Sequence, residues 1–354
     1  MNLPDKLFFT RQLMLWNTQS NGRKMPWKGE KNPYKIWLSE IILQQTRVEQ
    51  GWDYYNKFIQ KYPSIQDLAA GADTEIFKLW EGLGYYSRCR NLITTARHIS
   101  NNLAGIFPNQ YDALIKLKGV GPYTAAAIGS FAFDLPYAVL DGNVYRVLSR
   151  YMAIDIVVNS IEGKNYFTKL SGQLLDTTSP AAYNQAIMDF GAIICKPRPL
   201  CSQCPLQKKC IAFNTNTIDR YPVKQKKGIR KIRWFYYFIA EFKGKFFIRK
   251  REKKDIWQSL HELILFESDH ELKDDEMFQS DVFEEFGKDA RIIEISQMYK
   301  QHLTHQTIKG RFIHVMLTHS PQIKGYKLVN RPAILKLAFP KYITSYFEES
   351  RILY

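Results

Sequence analysis

Over the first two-thirds of the chain, apolar residues recur at three- and four-residue intervals, the spacing of helices that bury one face. Pro4–Asn17 reads as a helix with Leu7, Phe8, Met14 and Leu15 available for its apolar face. Asn32 and Pro33 mark the next start, Asn as cap and Pro at the first position, where its missing N–H goes unneeded. Further helices are predicted at about 48–60, 64–70, 73–81, 87–102, 110–117 and 122–132. Others follow from about 143, near 162–176 and over Pro180–Ile194, with Gly, Pro and Asn in the gaps. No strand-like alternation precedes residue 230, so this part is all-α. Then the texture changes. Trp234–Ala240 and Lys245–Arg249 are aromatic, β-favouring runs split by Lys243-Gly244, a hairpin signal, and Arg311–Thr318 alternates like a strand. An α+β domain therefore begins near residue 230, after a basic stretch, 224–233, that has the composition of a linker. That stretch is either a solvated charge run or a contact for a polyanion.

Two polar features interrupt the helical pattern. The first is Leu117–Arg146, where Gly119, Gly121 and Pro122 form a turn between two helices. Without Cβ atoms the glycines can bring backbone N–H groups to a helix N-terminus, a setting that favours an anion such as a phosphate. Asp141 follows that second helix and begins a new one; alone it reads as an ordinary N-cap. The second is Glu40, which shares a helix face with Ile36, Trp37, Leu43 and Gln44 and has Ile41 and Ile42 beside it. Most helix glutamates are solvated. One enclosed by apolar neighbours has its pKa raised and can carry a proton near neutrality.

The chain has 354 residues and 45% hydrophobic content, enough for two domains with real cores. Its net charge of +16 suits a nucleic-acid partner, and the 21 Tyr and 22 Phe add surfaces on which bases stack. There is no signal pattern and no long apolar run, which predicts a cytosolic protein with no membrane partner. Four of five cysteines crowd into Cys195-x5-Cys201-x2-Cys204-x5-Cys210, and in a cytosolic chain they read as a metal site. By spacing they would suit zinc or an iron–sulfur cluster equally. Cys89 is left as a buried thiol.

The Gly-x-Gly hairpin and the later Asp resemble the helix-hairpin-helix DNA glycosylases. The ordered motifs Pro26-Trp27, Trp37-Leu38-Ser39-Glu40, Gln44-Gln45-Thr46, Gly82-Leu83-Gly84-Tyr85-Tyr86 and Leu140-Asp141-Gly142-Asn143-Val144, with the cysteine tail, sharpen this. They are similar to the adenine DNA glycosylases of the MutY type. The resemblance implies a multidomain protein with an all-α helix-hairpin-helix core, followed by an α+β MutT/nudix-like domain. The core would comprise an iron–sulfur helical domain over 1–29 and 141–215 and a six-helix barrel over 30–140. A basic linker would span 216–233 and a lesion-recognition domain 234–354.

It further implies excision of adenine mispaired with 8-oxoguanine, and with guanine, from double-stranded DNA. The enzyme would act as a monomer in the bacterial cytosol, associated with the nucleoid. Glu40 would be the general acid and Asp141 the stabiliser or nucleophile for the positive sugar, with Asn143 bridging by hydrogen bonds. Tyr123 stands where strand-cutting relatives carry a Schiff-base Lys, so the enzyme would be monofunctional and leave an abasic site. Trp27, Lys28 and Leu43 would line the adenine pocket, with Lys28 departing from the Arg of some members. Gln44, Gln45 and Tyr85 would fill the gap left by the flipped base, and Gly119 and Gly121 would meet phosphate. Cys195, Cys201, Cys204 and Cys210 would ligate a [4Fe–4S] cluster, although the first gap is five residues rather than the usual six. In the C-terminal domain, Leu303-Thr304-His305 stands where the family has a Phe-Ser-His turn that probes the oxidised guanine, while the acid-rich pyrophosphatase signature is not assembled.

Overall fold

The computed structural model describes residues 3–225 and 230–353. Residues 226–229 of the expected basic linker lie outside the described residues. The chain divides into two compact units, Met1–Ala70 with Asn91–Lys227 and Gly71–Arg90 with Gly228–Tyr354. Among the described residues no helix is long and apolar enough to cross a membrane.

The first unit is helical. Its elements are α1 (Leu3–Gln19), α2 (Pro33–Leu43), α3 (Val48–Lys61) and α4 (Ile65–Ala70). After the segment that belongs to the other unit, which holds α5 (Asp73–Trp80) and the start of α6 (Tyr86–Asn102), come α7 (Tyr111–Leu114) and α8 (Pro122–Phe133). Then follow α9 (Gly142–Met152), α10 (Ile161–Leu174), α11 (Pro180–Ile193) and α12 (Ile211–Asn214). Most of these ends follow the sequence signals within a residue or two, but α7 stops three residues short of the expected 117 and the short α12 was not expected. Asn32 caps α2 by accepting from the Tyr34 backbone N at 3.0 Å. Asp141 caps α9 by accepting from the backbone N of Asn143 and Val144, each at 2.8 Å.

The expected apolar face of α1 is corrected in part: Phe8 and Met14 pack against the core. Leu7 and Leu15 are exposed, and the face that packs inward is Phe9, Leu13 and Trp16, spaced i, i+4, i+7. The larger rings win the interior: Phe9 meets Tyr151 at 4.9 Å and Trp16 meets Phe190 at 5.1 Å, both edge-on. Burying a side chain such as Phe9 contributes roughly 1.5–3 kcal/mol. This cluster also holds Val144 and Leu148 of α9, Phe167 of α10 and Tyr183 of α11, so it fixes the helix that starts at Asp141.

The hairpin between α7 and α8 is also corrected in one detail. Gly119 alone has positive φ, +80°, and a Cβ there would strike Asn91 Cβ at 2.8 Å. Gly121 is extended, φ −95°, and caps α8, with open space where a Cβ would stand. Small residues follow on α8, Ala125 to Ser130 all buried, and α2 packs against them.

The second unit is built on β1 (Lys231–Phe242). It pairs antiparallel with β2 (Lys245–Lys250) and with β4 (Ile264–Ser268), beyond the short β3 (His261–Glu262). After α13 (Asp274–Phe278), α14 (Asp281–Glu284) and β5 (Arg291–Ile295), the hairpin β6 (Tyr299–His302) and β7 (Gln306–Gly310) leads into β8 (Phe312–Met316). Strands β7 and β8 pair parallel to β1. The unit closes with β9 (Lys327–Asn330) on β2, α15 (Arg331–Ile334) and α16 (Lys341–Ser350). Lys243 and Gly244 both have positive φ, as the two-residue hairpin turn requires. Trp234 to Glu241 are all buried because both sheet faces are covered, which explains an aromatic run without alternation. Tyr236 and Phe238 face Met277 and Phe286, whereas Tyr237 stacks on Phe312, which stacks on Tyr346 of α16.

The sequence does not announce that 71–90 joins this unit. Lys78 Nζ donates to Leu337 O at 3.1 Å, Glu81 accepts from Phe339 N at 2.8 Å, and Arg90 donates to Gln258 O at 2.7 Å. Cys89 is buried there, and burial pushes its thiol pKa up.

Candidate active site

A cavity of about 410 Å³ opens in the helical unit. Glu40 enters it from α2, Tyr123 from α8, and Asp141 and Asn143 from the start of α9. Trp27, Lys28 and Leu43, the expected base-pocket residues, also line it. Gln44 instead turns to the hairpin, its Nε2 donating to Gly119 O at 3.4 Å and Thr124 Oγ1 at 3.3 Å. Gln45 is exposed at the end of α2 with positive φ, 58°. Lys118 is exposed and does not line the cavity.

The two carboxyls are treated differently by their surroundings. Glu40 is 6% exposed amid buried Ile36, Trp37, Ile41 and Ile42. Burial lifts its pKa to about 7; a hydrogen bond with Tyr123 opposes the lift and the charge of Asp141 adds to it. Tyr123 is itself pushed well up by burial and by both carboxyls, and its hydroxyl also reaches Met188 Sδ at 3.4 Å. Asp141 is raised as well, again by burial, but three donors and Arg146 pull it back. Its two oxygens accept from Asn143 N, Val144 N and Asn143 Nδ2, all at 2.8 Å. A carboxylate with three donors aimed at it, at a helix N-terminus, is held as an acceptor. The charge of Asp141 bears on Glu40, and both line one cavity. The arrangement offers one group able to give a proton and one able to stabilise positive charge.

Behind Asp141 a chain of bonds runs to the cysteine loop. Arg146 Nη2 donates to Asn143 Oδ1 at 2.8 Å and to Gly191 O at 2.6 Å, and its Nε donates to Cys195 O at 2.7 Å. Gly191 has to be small, since a Cβ there would meet Asn143 Cβ at 2.7 Å. Cys195, Cys201, Cys204 and Cys210 together line a cavity of about 30 Å³ under Arg150. Arg150 donates to Lys196 O at 2.8 Å and Pro197 O at 2.9 Å, and its Nη1 lies 3.8 Å from Cys195 Sγ. Among the described residues no group of three or more His, Cys, Asp or Glu side chains is arranged to hold a single metal ion.

The C-terminal unit carries the remaining expected residues. Thr304 and His305 sit at the tip of the β6–β7 hairpin, and Thr304 Oγ1 is 3.0 Å from Tyr85 Oη. Tyr85 has positive φ, 47°, is 43% exposed, and lies over the Arg88 guanidinium at 5.4 Å.

Sequence reasoning missed part of the cavity wall. Gln185 and Met188 of α11 and Arg23 of the loop before α2 line the cavity, and buried Asp189 bonds Arg23 and Gln185. Their only sequence signal was a lone Asp in an apolar helix, Ala186-Ile187-Met188-Asp189-Phe190.

Comparison with known proteins fits this geometry. Residues 38–164 match the family described as HhH-GPD superfamily base excision DNA repair protein. The adenine DNA glycosylase of Buchnera aphidicola subsp. Baizongia pistaciae is 39% identical over 260 residues, 72% of this chain and 72% of that one. The Mus musculus adenine DNA glycosylase is 42% identical over 222 residues, 60% of this chain and 43% of its own. Among solved structures, a thermostable thymine-DNA glycosylase matches with TM-score 0.56 and 29% identity, covering 60% of this chain and 98% of that one. A non-covalent endonuclease III–DNA complex matches in fold with TM-score 0.51 and 18% identity, covering 61% and 98%. The chain thus belongs to the adenine DNA glycosylases, monofunctional base-excision enzymes that remove adenine from DNA by hydrolysis.

Proposed function

We propose that this enzyme excises adenine paired with 8-oxoguanine, and with guanine, using Glu40 and Asp141 across one flipped nucleotide. The observation that carries it is the pair of carboxyls in one cavity, one lifted to about 7 and one gripped by three donors. Glu40, with its carboxyl shared with Tyr123, donates its proton to a ring nitrogen of adenine. That turns the base into a neutral leaving group. As the sugar–base bond breaks, positive charge grows on the sugar, and ionised Asp141 stabilises it or captures it transiently; water then adds to that carbon, displacing Asp141 if it is bound, and loses a proton to leave the abasic hydroxyl. Asn143 and Arg146 keep Asp141 in place. Tyr123 has no amine for a Schiff base, so the product is an abasic site in an intact strand.

Trp27, Lys28 and Leu43 would enclose the base, while Gln44 and Gln45 would fill the space it leaves. Unstacking costs a few kcal/mol, which such fillers offset in part. The open space at Gly121, at the N-terminus of α8, and the positive φ of Gly119 in the turn before it support a phosphate contact. The glycosylase core would comprise an iron–sulfur domain, 1–29 with 141–215, and a barrel, 30–140, of which 71–90 groups with the C-terminal unit.

Cys195, Cys201, Cys204 and Cys210 line one cavity and would hold the [4Fe–4S] cluster that the family resemblance implies. The cluster's contribution would be structural, stiffening a basic loop that carries Lys196, Arg198, Lys208 and Lys209. Residues 234–354 would form a MutT-like recognition domain rather than a second enzyme, with Thr304 and His305 reading the 8-oxoguanine. The protein would work as a monomer in the bacterial cytosol.

The test incubates the purified protein with 8-oxoguanine:adenine and guanine:adenine duplexes, and measures free adenine and strand breaks. The reading predicts free adenine from both, faster from the first, with breaks only after alkali. Equal rates on both pairs would remove the 8-oxoguanine preference. Adenine release unchanged in Glu40→Gln would remove the catalytic assignment.

A further inference from the structure

We propose that Asp189 is a positioning residue that sets which base the cavity accepts, by fixing the orientation of the Gln185 amide. The inference rests on the reading that the cavity beside Glu40 and Asp141 receives the flipped base. Asp189 is fully buried on α11 and lies behind the cavity wall. Four donors converge on its carboxylate. Arg23 Nη1 donates to Oδ1 at 2.8 Å and Lys28 Nζ to Oδ2 at 3.0 Å. Asn21 Nδ2 donates to Oδ2 at 2.9 Å, and Gln185 Nε2, one turn earlier on α11, donates to Oδ1 at 3.0 Å.

The chemistry of these donors decides the orientation of Gln185. Arg and Lys carry donors only, so a group bonded to both must accept. A carboxylate that only accepts can meet the Gln185 amide through its NH2 end alone. The amide oxygen is then the end left for a base in the cavity, which Gln185 lines. An amide oxygen accepts from an exocyclic amine and repels an exocyclic carbonyl. Adenine has the amine at position 6; hypoxanthine has a carbonyl at the same place and is otherwise nearly the same shape. A site that leaves such a polar group unpaired rejects the wrong ring strongly. The same carboxylate holds Arg23 and Lys28 in the wall, so one buried charge organises both the loop before α2 and the reading edge.

The experiment is single-turnover base release from duplexes carrying adenine, purine or hypoxanthine opposite guanine, with wild type, Asp189→Asn, Gln185→Leu and the D189N/Q185E double variant. An asparagine side chain can donate, so in D189N the Gln185 amide is free to turn its NH2 toward the base. The adenine-to-hypoxanthine rate ratio is expected to fall at least tenfold in D189N and Q185L, with purine changing least. In the double variant a carboxylate again offers only acceptors to the base, and the new amide can donate to it. The adenine preference should return at least partly, a result that a merely structural role would not produce. Melting temperature and affinity for duplex with a tetrahydrofuran abasic analogue report on folding. A loss equal on all three bases, with no recovery in the double variant, would overturn the proposal even if Glu40→Gln abolishes release. Full activity in Glu40→Gln would instead remove the underlying reading of the cavity.

Discussion

Each compact unit buries a carboxylate against two cations, and the two units use the pattern differently. In the helical unit Asp189 meets Arg23 and Lys28 beside a cavity of about 410 Å³ that also holds Glu40 and Asp141, neither bonded to a cationic side chain among the described residues. In the C-terminal unit Glu262, fully buried, meets Arg249 Nε at 2.8 Å and also bonds Arg251. Tyr237 lies against it, and Arg251 continues to Asp255, which binds Arg233 at 2.8 Å. That network ties β1, β2 and β3 to the loop after β2. A buried ion pair by itself therefore does not mark chemistry. The carboxyls proposed to carry it are instead raised by burial and line a cavity.

The comparison can be broken at its strongest point by Asp141→Asn. The amide keeps the shape but lacks the charge, so adenine release should fall about 10³-fold or more, as for loss of a preorganised stabiliser of developing charge. Melting temperature should hardly change. Glu262→Gln is the mirror experiment. Removing one partner of a buried pair costs about 3–5 kcal/mol of folding stability, while adenine release per folded molecule should stay near wild type. A Glu262→Gln protein that is stable but inactive would dissolve the distinction between the two networks.

The third prediction concerns the cost of the site itself. Glu40 has a folded pKa of about 7 against an ordinary 4.5. A raised carboxyl pKa means stability is fully present below pH 4.5 and lost as pH rises through about 7. The lift corresponds to about 3 kcal/mol. Glu40→Gln should therefore melt higher than wild type at pH 8, and by little at pH 5. Thermal melts at both values check this, and equal melting at pH 8 would mean the burial penalty is relieved elsewhere. The smallest effect belongs to the exposed contact. Replacing Thr304 and His305 with Ala removes the hydroxyl that faces Tyr85 at 3.0 Å. A net hydrogen bond is worth about 1 kcal/mol, so the preference for 8-oxoguanine over guanine should fall roughly five-fold.

Much of the helical unit was legible because its ends carry local signals: Asn32-Pro33, Gly121-Pro122, and Asp141 before Gly142-Asn143. Glu40 was legible for a related reason, since its apolar neighbours lie on the same helix. Asp189 was not, because Asn21, Arg23 and Lys28 reach it from more than 160 residues away in sequence. The face of α1 was misjudged since Leu7 and Leu15 compete in sequence with Phe9, Leu13 and Trp16, and only packing chooses between them. The attachment of 71–90 to the C-terminal unit rests largely on bonds to backbone groups of Leu337, Phe339 and Gln258, which no side-chain pattern records. In the C-terminal unit, β1 was visible as an aromatic run, whereas the short β3, β5 and β9 are held by their neighbours rather than by their own composition.

The most direct test is the pH dependence of single-turnover adenine release by wild type and Glu40→Gln. A proton donor lifted to about 7 predicts a wild-type rate that declines as pH rises through that value. Glu40→Gln should be slower by about 10²–10⁴-fold and lack the decline. A Glu40→Gln enzyme with the wild-type rate, or with the same pH decline, would contradict the division of labour between Glu40 and Asp141.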